Sequence, residues 1–277
     1  MIGAKINSMV DNVYVLNLER DLFKYEILKR KLDKKGIRHE RFIGVDGYSG
    51  DLSSKKREES FKDILNAYRD SKLFSSIARF GASNLSGGKG AYRSSGAMGT
   101  VLSYLKVFED AIKNKYEKIL LLQDDIYFHK QFEDLFLERE SEIRRSAIFY
   151  LGATEWHSVM RLEKWASPNW SREHHGYGHY WATSRTMGMF AVMVDKKVFQ
   201  PFLDLLRFKF FPDDQVLALL GKEMFSGESL VSYPNLVMPD TEQSHTTIDR
   251  ERGWNTEVHA KRMGWDHDYY DLGEKYY

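Results

Sequence analysis

Two pairs of adjacent aspartates carry the sharpest chemical signal in the chain. Gln123-Asp-Asp125 ends the apolar run Lys118-Ile-Leu-Leu-Leu122, and Pro212-Asp-Asp-Gln215 directly precedes Val216-Leu-Ala-Leu-Leu220. Neighbouring carboxylates repel one another and lose solvation when buried, so they sit in water or receive a cation. At a strand end, where α/β sheets bind ligands, Asp124 and Asp125 can hold a hard divalent ion such as Mn²⁺ or Mg²⁺ against a diphosphate. The same two residues also suit a turn that caps the next element, because Asp is common in turns. Asp213-Asp214 has two compatible readings. One is an N-cap for the apolar helix that follows; the other is a general base, Asp214 or else Asp213, that removes a proton from an acceptor hydroxyl.

The remaining candidates are weaker. Nine His occur without an H-E-x-x-H or comparable spacing. His245, in Glu242-Gln-Ser-His-Thr246, can supply a nitrogen ligand to an ion at Asp125, although a lone His is more often a surface or core residue. The segment Arg172-Glu-His-His-Gly-Tyr-Gly-His-Tyr-Trp181 is aromatic and Gly-rich. With Trp165 and Trp170 it offers Tyr177, Tyr180 and Trp181 as a wall on which a sugar ring can stack; an ordinary surface loop is the other reading. The Gly-rich stretch Ala82-Ser-Asn-Leu-Ser-Gly-Gly-Lys-Gly90 lacks the order of a phosphate-cradling loop and reads as surface.

The elements that must position these residues alternate. Val13-Tyr-Val-Leu-Asn-Leu18 reads as a buried strand, Leu22, Tyr25, Leu28 and Leu32 fall at helical spacing up to Gly36, and Ile37 to Ile43 reads as a second strand. After a break over residues 48–95, a periodic helix presents Met98, Val101, Leu102, Leu105, Phe108 and Ile112 on one face. Lys118 to Leu122, Ala147 to Leu151, Gly188 to Val194 and Leu230 to Tyr233 follow as strands, with an Asp195-capped helix over Val198 to Leu206. This succession predicts an α/β fold with a central, mostly parallel sheet flanked by helices. At 277 residues one main domain over 1–250 is expected, with 48–95 as an insertion, a possible acceptor region, and 251–277 as a C-terminal extension.

Composition narrows the function. The 41 Lys and Arg against 40 Asp and Glu give a net charge of +1, which supplies no field for nucleic acid. With no Cys, any site must use oxygen and nitrogen ligands, the set that Mn²⁺ or Mg²⁺ prefers. No apolar run approaches the roughly 20 residues that span a bilayer, and the start has no signal-peptide pattern, so a cytoplasmic protein is expected.

Four motifs follow one another along the chain: Val13-Tyr-Val-Leu-Asn-Leu-Glu-Arg-Asp21, Phe42-Ile-Gly-Val-Asp-Gly47, Gly96-Ala-Met-Gly-Thr-Val-Leu-Ser-Tyr-Leu-Lys106 and Leu120-Leu-Leu-Gln-Asp-Asp-Ile126. Their order bears a resemblance to glycosyltransferase family 25, which includes lipooligosaccharide glycosyltransferases and collagen hydroxylysine galactosyltransferases. The resemblance continues through Phe149-Tyr-Leu-Gly152, Gly188-Met-Phe-Ala191 and Pro212-Asp-Asp-Gln-Val-Leu217. It implies a GT-A nucleotide-binding fold, a nucleotide-sugar donor such as a UDP-hexose, a divalent metal, usually Mn²⁺, and an inverting outcome. Acceptors implied are a glycan, lipopolysaccharide or a collagen-like hydroxylysine. Carried onto this chain, Asp124 and Asp125 become the metal and diphosphate site, while Asn17, Leu18, Arg20 and Asp46 hold the nucleotide. Gly99, Ser103 and Lys106 belong to a helix whose start faces the donor, and Asp214 matches the base. Two positions depart: Gln123 stands where the family commonly has Glu, and Tyr104 where it has His. Losing an acid at Gln123 weakens a metal site or marks a changed donor. Rival readings are a metal-dependent phosphohydrolase or nucleotidyltransferase, and a degenerate sugar- or partner-binding protein without catalysis.

Overall fold

The computed structural model describes residues 2–47, 95–155, 178–182, 186–209, 213–240, 265 and 267–273. The chain opens with a short helix α1 (Ile2–Asn7), strand β1 (Asn12–Asn17), a 3-10 turn (Glu19–Asp21), helix α2 (Leu22–Lys34) and strand β2 (Glu40–Ile43). Helix α3 (Ser95–Lys113) leads into β3 (Lys118–Gln123) and β4 (Ile126–Phe128), then α4 (Phe132–Glu138), α5 (Glu140–Arg145), β5 (Ile148–Tyr150) and β6 (Thr154–Glu155). Next come β7 (Gly178–Trp181), β8 (Thr186–Met187), β9 (Ala191–Asp195), α6 (Lys196–Lys209) and α7 (Asp213–Glu223). Strands β10 (Ser229–Tyr233) and β11 (Val237–Pro239) and a 3-10 turn (His267–Tyr269) complete it.

Seven strands form the central sheet in the order β2-β1-β3-β9-β5-β10-β7. β1 pairs in parallel with β2 and β3, β5 with β10, and only β9 and β7 run the other way. The mixed, mostly parallel α/β architecture expected from the sequence is therefore present, in the arrangement of a GT-A fold. β3 is buried on both faces, which explains its continuous apolar run. One face carries α2, α4, β4 and β11; the other is covered by α3, α6 and α7, with Phe108 stacked on Phe202 at 4.3 Å between ring centres.

Local chemistry explains where elements stop. Helix α2 ends at Gly36, whose φ of +69° is left-handed, and the Ile37 amide donates to the Leu32 carbonyl. Ile37 is thus used to close the helix, so β2 begins only at Glu40 rather than at Ile37 as the pattern suggests. Gly188, at φ +93°, breaks the run Gly188 to Val194 in the same way, and β9 starts at Ala191. The expected cap is present where the Lys197 amide donates to Asp195 Oδ1 at 3.2 Å. The apolar spacing of α2 misleads at its start: Leu28 and Leu32 are buried, but Leu22 is 46% exposed and Lys24 is buried instead. At 3.6 residues per turn, Lys24 lies about 60° from the middle of the Leu28–Leu32 stripe and Leu22 about 100°. On α3, Ile112 lies on the expected stripe but stays 38% exposed in the last turn.

A strand beyond the expected set, β11, pairs with β4 and carries Asp240 to Asp125, where the Asp240 amide donates to the Asp125 carbonyl at 2.6 Å. Trp265 and Tyr270 bury into the same core, and Tyr270 donates its hydroxyl to the Asn235 carbonyl at 2.8 Å. Among the described residues, no helix is long and apolar enough to cross a membrane.

Candidate functional site

The carboxyl ends of β1 and β3 and the turn after β2 open onto a cleft with a cavity volume of about 110 Å³. Its walls include Asn17, Leu18 and Arg20 from the end of β1 and just past it, Asp46 from beyond β2, and Gln123, Asp124 and Asp125 from the end of β3 and just past it; Gly96, Thr100 and Ser103 of α3 close it. Seven of the expected donor-site residues thus meet in one place, because parallel strands bring their carboxyl ends to a common edge.

Asp124 is held from below. Asn17 Nδ2 donates to Asp124 Oδ2 at 2.5 Å and to the Asp21 carbonyl at 2.9 Å, while Arg41 Nε donates to Asn17 Oδ1 at 2.7 Å. The guanidinium also stacks over Tyr25, so the direction of the Asn17 amide is fixed from both ends. Burial raises the Asp124 carboxyl, opposed by the Asn17 hydrogen bond. Asp125 goes further: burial, and after it the charge of Asp124, push it up to about 7, with Asp240 adding to the rise. Its Oδ1 is buried with no hydrogen-bond partner. Two crowded carboxylates with an orphaned buried oxygen fit a hard divalent cation, whose charge would hold both acids ionised. Among the described residues no group of three or more acidic or His side chains gathers to coordinate an ion, so in that part the two aspartates are the residues that could hold one.

The α3 residues serve the wall of the cleft more than its contents. Ser103 Oγ accepts from the Val45 amide and donates to the Gly99 carbonyl, both at 2.7 Å. A Cβ on Gly99 would stand 2.4 Å from the Val45 carbonyl, so glycine lets the helix approach the turn that carries Asp46. Asp46 Oδ2 in turn accepts from Arg20 Nη1 at 2.5 Å. Gly99 itself is not among the lining residues, and Lys106 is exposed and stands outside the cleft.

Asp213 and Asp214 occupy the first turn of α7, where carboxylates favour the helix. Asp214 Oδ2 accepts from the Gly188 amide at 3.3 Å and Oδ1 from the Gln215 amide at 2.8 Å. Asp213 is buried, and desolvation followed by the charge of Asp214 raises it well above the usual carboxylate range. Tyr104 lies between the two pairs. Its hydroxyl donates to the Met189 carbonyl at 2.6 Å and accepts from Gln123 Nε2 at 3.3 Å. Burial, then the charge of Asp213, raise the phenol well above its ordinary range. The two positions that depart from the resembled family, Gln123 and Tyr104, are therefore in contact.

His245, Trp165, Trp170, Tyr177 and the segment 48–94 lie outside the described residues. Trp181 stands 55% exposed on β7, at the opposite edge of the sheet from β2. Sequence reasoning missed Lys24, Arg41 and Asp240, since each matters through a neighbour distant in sequence.

Comparison with known proteins bears on this geometry. A family model described as glycosyltransferase family 25 (LPS biosynthesis protein) matches residues 10–217, well over half of the chain. A glycosyltransferase 25 family member of Drosophila melanogaster is 24% identical over 142 residues, which is 51% of this chain; the match spans 20% of the length of that relative.

Proposed function

Because the chain belongs to glycosyltransferase family 25, we propose that it is a metal-dependent hexosyltransferase. It moves a sugar from a UDP-sugar to an acceptor hydroxyl on a glycan, lipopolysaccharide or hydroxylysine, with inversion. The observation that carries this reading is the cleft at the strand ends, lined by Asp124 and Asp125 with the unpartnered Asp125 Oδ1 buried at its floor.

Asp124 and Asp125 would hold Mn²⁺ or Mg²⁺, completed by donor phosphates, water or His245, and the bound ion would offset the charge that develops on the departing diphosphate. The chain's own residues do the rest. Asn17, fixed by Arg41, keeps Asp124 aimed into the cleft. The Arg20–Asp46 pair and the turn held by Ser103 form the side on which the nucleotide rests. Asp214, kept in place by the Gly188 and Gln215 amides, takes the proton of the attacking hydroxyl, with Asp213 beside it as the alternative base.

Incubation with a panel of UDP-sugars and Mn²⁺ tests the reading through release of UDP and transfer to glycan or hydroxylysine acceptors. Turnover of one donor, lost on chelation, is the expected result. No binding, hydrolysis or transfer with any donor overturns it. UDP affinity that survives chelation and the Asp125→Ala substitution, without turnover, points to a binding protein instead.

A further inference from the structure

Helix α2 buries Lys24, Leu28 and Leu32 along its inward stripe. Two leucines there are ordinary core residues. A lysine at 4% exposure is not, because an ammonium taken out of water needs compensating partners. Lys24 lines the cleft beside Asp21, Asp124 and Asp125, and its charge lowers both members of the acid pair. Among the described residues it nevertheless has no hydrogen bond or ion pair, whereas Arg20, the other cation lining the cleft, is bonded to Asp46. The first turn of α2, where Lys24 sits, has no side-chain cap on its amides, and α3 contributes Gly96 and Thr100 from its own start. Two helix starts and a buried cation with unfilled donors make one side of the cleft a site for an anion. The orphaned Asp125 Oδ1 lines the same cleft, which thus offers groups both for a phosphate and for a cation.

We propose that Lys24 is the phosphate contact of this cleft: its ammonium binds the diphosphate oxygens of the donor directly, with or without a divalent cation. This inference rests on the donor-site reading above. A monovalent phosphate contact of this kind differs from one made through a metal, because it survives chelation.

Calorimetry on the full chain tests it with three probes in EDTA buffer: UDP, inorganic pyrophosphate and uridine. Wild-type protein is expected to bind UDP and pyrophosphate. Lys24→Met is expected to weaken both by about tenfold or more, the usual loss for a charge-assisted hydrogen bond, while uridine affinity is unchanged and Lys24→Arg retains most of the binding. Unchanged UDP and pyrophosphate affinities in Lys24→Met overturn the proposal and leave the donor reading standing, as does UDP binding that appears only when Mn²⁺ is added. Lysine-dependent pyrophosphate binding with no preference for UDP supports the phosphate contact and removes the nucleotide. Equal weakening of uridine and UDP overturns it as general damage. Should Lys24→Met fail a thermal-melt check for folding, acetylation of the wild-type lysines read by mass spectrometry replaces it. Slower acetylation of Lys24 with pyrophosphate present supports the contact; equal rates overturn it.

Discussion

Asp124-Asp125 follows a strand and opens onto a cleft, while Asp213-Asp214 starts a helix. Both pairs hold one deeply buried acid whose carboxyl is raised first by desolvation and then by its neighbour. The compensation differs. Asp214 takes two backbone amides of its own fold, and α7 presents the positive end of its dipole. Asp125 Oδ1 has no partner, and the Asn17 amide, Arg41 and Lys24 assemble around its pair from other elements. A pair completed by its own backbone is finished without a ligand. A pair left incomplete in the lining of a cleft is built for something that arrives.

The contrast breaks most sharply at Asp125. Asp125→Asn should lower kcat/KM for UDP-sugar turnover by roughly 10³-fold and abolish metal-dependent UDP binding, measured by coupled UDP release and calorimetry. Asp214→Asn should lower kcat by about 10²-fold with UDP affinity unchanged; unaltered kcat would make the second pair purely structural. Gly99→Ala tests the wall between them, because its methyl must displace the turn at Val45. A loss of about 1–3 kcal/mol by urea titration is expected, together with weaker UDP binding.

The pH profile of stability separates the pairs as well. The folded-state carboxyl of Asp125, at about 7, and that of Asp213 both lie above the ordinary value, so the stability they contribute is full below about pH 4 and is lost as pH rises through the folded values. The metal-free protein should therefore melt at lower temperature at pH 8 than at pH 5. Mn²⁺ should recover part of that loss in wild type and in Asp213→Asn, but not in Asp125→Asn. The smallest effect is expected at Tyr104→Phe, which leaves the buried Met189 carbonyl without its donor: about 1–2 kcal/mol of stability, read by chemical denaturation, with little change in UDP affinity.

Much of this was legible from residue order. β3 and its terminal acids and the Gly36 stop of α2 follow from patterns that act within a few residues, whereas the set Asn17, Arg20, Asp46, Ser103 and Gln123 beside Asp124 was what the family resemblance implied. Lys24 did not, because a lysine between Leu22 and Tyr25 looks like the wet face of a helix until the sheet is in place to cover it. Arg41 and Asp240 escaped for a related reason: each acts on a residue far along the chain, Arg41 on Asn17 across neighbouring strands and Asp240 on Asp125 through the pairing of β11 with β4.

Gly99 shows the division most plainly. Its place in a motif marked it as part of the donor site, and the fold gave it another task, to let α3 approach the Asp46 turn closely. The sequence by itself determined the main strands and helices from β1 to α3, β3, β5, β9, α6 and β10, and that carboxylates stand at a strand end, because hydrophobic period and turn chemistry are local. Only the tertiary structure decided which acid is completed by backbone and which is left open, and which lysine is buried against it. Desolvation and charge pairing depend on what closes over a residue, and that is contributed by distant parts of the chain.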